Sequence, residues 1–299
     1  MSLFDRAVVA TLPWVPKGLV RRFADPYIAG ESLDDAVATI LALNQRGIRA
    51  TIDILGEHID RIEQAEAPRE VYMAAMSEIQ RRGLPSTISV KLTQLGLYLD
   101  PEVCYRNIRT LVALGHELGV GVAIDMEESA ITSQTLSIYR RLREEFGNVS
   151  TVLQAMLRRT VADARGLADL SPSIRICKGI YVEPREVAYQ EGEEVNQSYK
   201  ETVGAVLDSG GFAAIATHDE VLVDWALTFL RERALDSSRY EFQMLLGVRE
   251  ELRDRIVAAG HPLRVYVPFG QEWYAYSVRR MRENPRVAGM VARAVVGLR

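Results

Sequence analysis

The stretch FAAIATHDEVLVDWALTFLRERALDSSRYEFQMLL (residues 212–246) decides the fold. It opens on a short apolar run, FAAIATH (212–218), and closes on another, YEFQMLL (240–246). Between them DEVLVDWALTFLRERAL (219–235) repeats apolar residues at three- and four-residue spacing. Runs of that length read as strands and that spacing as an amphipathic helix. A strand followed by a crossover helix and a second strand is the unit of a parallel sheet.

The same alternation extends in both directions. RATIDIL (49–55), TISVKL (87–92), GVAIDM (121–126), STVLQAM (150–156), SIRICKG (173–179) and LRVYVPF (263–269) bring the strands to eight, with starts 23 to 39 residues apart. PEVCYRNIRTLVALGHELG (101–119) and SAITSQTLSIYRRLREEFG (129–147) read as intervening helices, with Gly119 and Gly147 in the usual stop position. Eight such units with near-continuous apolar strands predict a closed parallel barrel, a distorted (β/α)8 TIM-type fold. An open doubly wound sheet is the rival. Residues 1–48 read as an N-terminal helical cap, with Ser32 as an N-cap and Asp35 as its capping-box partner. Residues 49–299 then form a single catalytic barrel, with no linker, repeat or low-complexity tract.

Composition narrows the function classes. A chain of 299 residues, 48% hydrophobic, can bury roughly three quarters of its unfolded surface without covalent staples. Cys104 and Cys177 lie 73 residues apart with no C-x-x-C, which points to a reducing, cytoplasmic setting. A net charge of -4 and a pI near 5.7 argue against a nucleic-acid partner. MSLFDRAVVATLPWVPKG lacks a signal-peptide layout, and no run reaches the roughly 18 apolar residues of a membrane span.

The strands end in polar or ionisable residues: Asp53, Lys91, Asp125, Gln154, Arg175 with Lys178, Thr217 with His218, Gln243 and Tyr266. In a parallel barrel these ends converge on the face that carries the active site. Lys91, Arg175 and Lys178 outnumber Asp125 there, which predicts an anionic ligand. An ammonium flanked by β-branched residues in TISVKLTQ needs a partner. A Lys91–Asp125 ion pair and a Schiff-base lysine both remain open. Arg279 and Arg280, in WYAYSVRRMRENP, offer a fork for a carboxylate or phosphate, although paired arginines on a solvated helix face are common. The four histidines show no metal-ligand spacing, and Asp53, Glu57 and His58 read as loop residues before a cation site, so no metal is expected. Nucleotide-phosphate motifs are absent, so any dinucleotide must be held by the barrel mouth.

Read together, SVKLTQLGL (89–97), IDMEES (124–129), QAMLRR (154–159), IRICKGIY (174–181), ATHD (216–219), YEFQMLLG (240–247), RVYVPFG (264–270) and YSVRRMREN (276–284) resemble, in order and spacing, the proline dehydrogenase family in its short monofunctional bacterial form. The resemblance implies FAD-dependent oxidation of L-proline to Δ1-pyrroline-5-carboxylate, the first step of proline degradation to glutamate. Hydride would pass from C5 to flavin N5, and the electrons on to a quinone. It implies catalytic roles for Asp125 and Arg175, the latter beside the flavin. Lys91, Tyr181, Leu246, Tyr266, Tyr276, Arg279 and Arg280 would contact substrate. Met126, Gln154, Arg175, Lys178, Gly179, Ile180, Thr217, His218 and Glu283 would contact FAD. Relatives often carry a smaller residue at position 180, so Ile180 is expected to tighten the pocket.

Asp125 either aligns its cationic neighbours or takes the amine proton; a carboxylate among cations is a poor base, which favours alignment. A quinone acceptor implies transient contact with the inner membrane. Residues 279–299, with six arginines, one glutamate and the stretch MVARAVVGL, fit either a peripheral membrane patch or an ordinary terminal helix. The alternatives are an FAD barrel acting on another substrate, such as a folate reductase, a Schiff-base lyase using Lys91, and a non-catalytic binding barrel.

Overall fold

The computed structural model describes residues 21, 24–56, 59–274 and 276–277. Eight parallel strands run in order around a closed barrel: β1 (Arg49–Ile54), β2 (Ser86–Val90), β3 (Val122–Ile124), β4 (Val149–Gln154), β5 (Ser173–Cys177), β6 (Phe212–Ala216), β7 (Tyr240–Leu245) and β8 (Leu263–Phe269). Closure is made by β1 and β8, which pair from Arg49 with Arg264 to Ile54 with Phe269. An open sheet has no such pairing, so that rival is excluded.

Helix α1 (Leu33–Asn44) precedes the first strand, and α2 (Glu66–Arg82), α3 (Pro101–Leu118), α4 (Thr132–Glu145), α5 (Thr160–Gly166), α6 (Gly192–Asp208), α7 (Glu220–Glu232) and α8 (Glu250–Ala258) follow β1 to β7 in turn. Their ends follow local chemistry. The Ser32 hydroxyl accepts from the Asp35 N–H while the Asp35 carboxylate accepts from the Ser32 N–H, the capping box read from sequence. Asp100 accepts from the N–H groups of Glu102 and Val103 ahead of Pro101, whose missing N–H costs nothing in a first turn. Gly119 ends α3 at φ +68°, a left-handed conformation open to glycine.

Helix α1 packs against β8 and β1, the place on the outer ring that a helix following β8 fills in a regular barrel. The chain leaving β8 turns to the mouth, where Tyr276 joins Ala24, Ile28 and Leu55 in a small apolar cluster. That exchange is the distortion of the barrel. Among the described residues no helix is long and apolar enough to cross a membrane.

The strands correct one expectation. They do not alternate with polar ends only; they alternate along their length, as a pleat puts successive side chains on opposite faces. Ile52, Ile88, Ile124, Ile174, Ile215, Phe242 and Val265 belong to the apolar core shared with the helices. Their neighbours Ser89, Asp125, Arg175, Glu241, Gln243 and Arg264 bond to one another, with Asp53 joined through Lys91, and several of these bonds cross non-adjacent strands, which is possible only through the barrel interior. The hydrophobic core therefore lies outside the sheet, and the inside is a polar one.

Candidate active site

The pleat that buries Ile124 outward turns Asp125 into the barrel, where four donors meet it. Ser89 donates from Oγ (2.6 Å) and Arg175 from Nη1 (2.7 Å) to Oδ1. The Tyr266 hydroxyl (2.8 Å) and Lys91 Nζ (3.5 Å) donate to Oδ2. Burial pushes the Asp125 carboxyl upward, but Lys91, Arg175 and the hydroxyls of Ser89 and Tyr266 outweigh it and hold the group below its ordinary value. It is an ionised anchor. Burial, followed by the two carboxylates Asp125 and Asp53, raises the Tyr266 phenol well above its usual range, so it stays a donor.

Lys91 stands just past the end of β2, at the start of the short 3-10 turn Leu92–Leu95. Its nearer partner is Asp53 Oδ1 at 2.6 Å, with Asp125 second. Asp53, only 1% exposed and within β1, is thus not a loop residue. Burial lifts its carboxyl above the ordinary value against the pull of Lys91, with Asp125 adding to the rise. For Lys91 burial acts downward, yet Asp53, Tyr266 and Asp125 carry the ammonium well above its ordinary value. A Schiff-base lysine needs a neutral amine, and this setting opposes one.

These groups form the floor of a cavity of about 970 Å³. That is the upper end of the roughly 300–1,000 Å³ of ligand sites and far more than a small imino acid fills. The cavity is also lined by Met126, Gln154, Lys178, Gly179, Ile180, Tyr181, Thr217, His218 and Tyr276, so the described site residues read from the sequence converge on one space. Leu246 is the exception: it packs against the apolar core, and its neighbour Leu245 lines the cavity. Arg279, Arg280 and Glu283, with Glu57 and His58, lie outside the described residues.

Lys178 pairs with Asp219 at 2.6 Å, and Asp219 in turn caps α7 by accepting from the Val221 N–H. The His218 Nε2 accepts from the Leu245 N–H at 2.8 Å, which puts the proton of the neutral ring on Nδ1. Gly179 has φ +102°, and a Cβ there would meet Met156 at 2.6 Å, so the chain passes flat over Met156 only as glycine. The Cys177 thiol is pushed up to about 11 by burial and is no nucleophile.

The expected excess of cations is not there among the described lining residues. Lys91, Arg175 and Lys178 face Asp53, Asp125, Glu127, Asp219 and Glu272. Glu127, which sequence reasoning passed over, accepts from both the N–H (3.1 Å) and the hydroxyl (2.5 Å) of Thr93, and its backbone carbonyl accepts from Gln154. It ties the loop after β3 to the turn that follows Lys91. Gln243 appeared only as one more polar strand end, although it contacts Arg175 directly. The overlooked signal was its spacing from Glu241: two residues apart, both side chains share one face.

The proline dehydrogenase family model matches residues 36–293. Proline dehydrogenase 1 of Bacillus subtilis (strain 168) is 36% identical over 270 residues, covering 90% of this chain and 89% of its own. The proline dehydrogenase of Deinococcus radiodurans is 35% identical over 306 residues, covering 99% and 98%. Among solved structures, proline utilization A from Bdellovibrio bacteriovorus inactivated by N-propargylglycine superposes with a TM-score of 0.82 over 88% of this chain at 24% identity. The chain spans about 32% of that protein's length, a likeness of fold alone. With a family model over most of its length and relatives matched nearly end to end, the chain belongs to the proline dehydrogenase family.

Proposed function

We propose that this protein oxidises L-proline to Δ1-pyrroline-5-carboxylate in the cytoplasm, with FAD held in the barrel mouth and a quinone as final electron acceptor. The observation that carries it is the cluster of Lys91, Asp53, Asp125, Arg175 and Tyr266, bonded into one unit on the floor of a cavity too large for the imino acid alone.

The described residues fit a flavin dinucleotide. Gly179 lets the loop after β5 lie flat beside the cavity, Ile180 exposes apolar surface on the wall, and Lys178, Gln154, Thr217 and His218 supply polar contacts around it. These residues, with Met126 and Glu283, would hold the cofactor. When bound, FAD supplies the acceptor for the hydride leaving proline C5.

The chain's own residues do the rest. Lys91, kept charged by Asp53, meets the substrate carboxylate together with Arg279 and Arg280. Tyr181, Tyr266 and Tyr276 enclose the ring and keep it from turning, and holding a reactant in one orientation contributes several kcal/mol to a bimolecular transfer. Arg175 places a fixed positive charge where reduction deposits a negative one, the kind of preorganised electrostatics that dominates many active sites. Asp125 aligns Arg175, Tyr266 and Lys91, and its lowered proton affinity suits an anchor better than a base.

Contact with a bilayer, which a membrane quinone requires, is assigned to residues 279–299 on their arginine-rich, partly apolar composition. The decisive experiment mixes the FAD-loaded protein with L-proline without oxygen. The flavin absorbance should bleach with saturation in proline; a flavin that stays oxidised refutes the proposal.

A further inference from the structure

Arg175 is gripped from two directions. Asp125 and Ser89 take Nη1 on the β3 side, at 2.7 and 3.3 Å, while Gln243 on β7 accepts from Nε at 2.6 Å. The Gln243 amide nitrogen donates at 2.7 Å to Glu241, a carboxylate 2% exposed. Glu241 is held by Arg264, which donates from Nε (2.6 Å) and Nη2 (3.2 Å) and fixes its own position by donating to the Ala50 carbonyl at 2.7 Å.

Burial raises the Glu241 carboxyl, but Arg264, Gln243 and Arg49 outweigh that and keep it ionised. An ionised carboxylate only accepts, so the Gln243 NH2 must face Glu241 and its carbonyl must face Arg175. Glutamine is required by this place. A carboxylate would face Glu241 without a proton to share, a cation would repel Arg175, and an apolar side chain would leave both partners short. Ala214 on β6, in register with Arg175 on β5 and with Glu241 on β7, has a side chain small enough to leave the crossing open.

We infer that Gln243 is a positioning residue for Arg175, its amide locked by the Glu241–Arg264 pair so that the guanidinium is held fixed against the cofactor side of the cavity. The inference rests on the assignment of Arg175 to the flavin. It adds a control of the flavin's redox balance from the cavity floor, where Gln243 lines the cavity while Glu241 and Arg264 stand behind it.

The test uses the full-length, FAD-bound enzyme carrying Gln243→Met, similar in volume but unable to bridge. The flavin midpoint potential should move to more negative values, since a loosened Arg175 stabilises the reduced flavin less. The limiting rate of anaerobic flavin reduction should fall about tenfold or more, the scale of losing a hydrogen bond to a charged group. The proline concentration giving half the limiting rate should not change. A wild-type potential and rate overturn the inference, as does a raised half-saturation at an unchanged limiting rate.

Should Gln243→Met not fold, Gln243→Glu carries the test, because it still accepts from Arg175 but sets a second carboxylate against Glu241. The same negative shift is expected, and a wild-type potential again overturns the inference. Arg175→Met separates the two layers. A wild-type potential there sinks the assignment of Arg175 and this inference with it, whereas a shift there beside none in Gln243→Met sinks this inference alone.

Discussion

The two faces of one barrel wall are built on different physics. Outward, Ile52, Ile88, Ile124, Ile174, Ile215, Phe242 and Val265 lie in the apolar core beneath the helices. Inward, one residue away, Ser89, Asp125, Arg175, Glu241, Gln243 and Arg264 hold one another by hydrogen bonds and ion pairs, and Lys91 joins Asp53 to them. Burial of apolar surface has no direction, and cores accept substitutions that keep volume. A buried ionic network depends on each partner, because a charge left without one is costly. Stability is therefore spread over the outer face, while the inner face concentrates the groups whose placement governs chemistry.

The sharpest way to break this contrast is Glu241→Ala. Arg264 would stay buried without its carboxylate, for an expected loss of about 3–5 kcal/mol, read as a shift of the denaturation midpoint at constant slope. Replacing both partners together, Glu241→Leu with Arg264→Leu, should recover most of the loss, since removing a whole pair is often nearly neutral. A double variant as unstable as the single one would mean that the interior packs by shape and not by pairing.

Much of this was legible in the sequence, and the missing part has a physical reason. All eight strands fall within a few residues of where β-branched runs placed them, and the Ser32 capping box forms because its two side chains are local. What escaped was pairing through the barrel. The sequence pairs Lys91 with Asp125, just past the end of β3, whereas Asp53 on β1 is the nearer partner. Strand order alone gives both as neighbours of β2, and only side-chain reach separates them. Read as strand ends, the polar residues mark only where each run stops. Their period of two in SIRIC, YEFQML and LRVYVPF carried the information that one face is polar throughout. The substrate and cofactor were legible only through the family motifs.

Asp125→Asn tests the inner face for chemistry. With Arg175 and Lys91 deprived of their shared anion, flavin reduction by proline should slow by about 10²–10³-fold, the scale of removing one preorganised electrostatic group. The pH profile of kcat/KM should keep all its ionisations, because a carboxyl held low does not titrate in the working range. Loss of one ionisation with proline binding intact would make Asp125 the base.

Acid should act on the inner face too, with a definite sign. Asp125 and Glu241 have folded values below their unfolded ones. Their stabilisation is complete above the unfolded carboxyl range of about 4 and is lost as pH falls through the folded values. Asp53 and Glu127, raised by burial, work in reverse and are relieved by acid. Glu241→Gln removes one lowered group, so denaturation midpoints measured through the acid limb should fall less steeply than in the wild type. Parallel limbs would remove Glu241 from the network's acid response.

The smallest expected effect tests the outer face. Ile215 is fully buried in the apolar core, between Ala214 and the cavity-lining Ala216 on the same strand. Ile215→Val deletes one methylene group and should cost about 0.5–1.5 kcal/mol. Because the pleat points that side chain away from the cavity, FAD content, the half-saturating proline concentration and the flavin potential should all stay at wild-type values. Val restores the β-branched shape, so the backbone of β6 has no reason to shift and no strain to pass inward. A change in potential at so conservative a substitution would mean that Arg175, paired in register with Ala214 next to it, reads the packing of the outer face through the strand itself, and the two faces would then form one system.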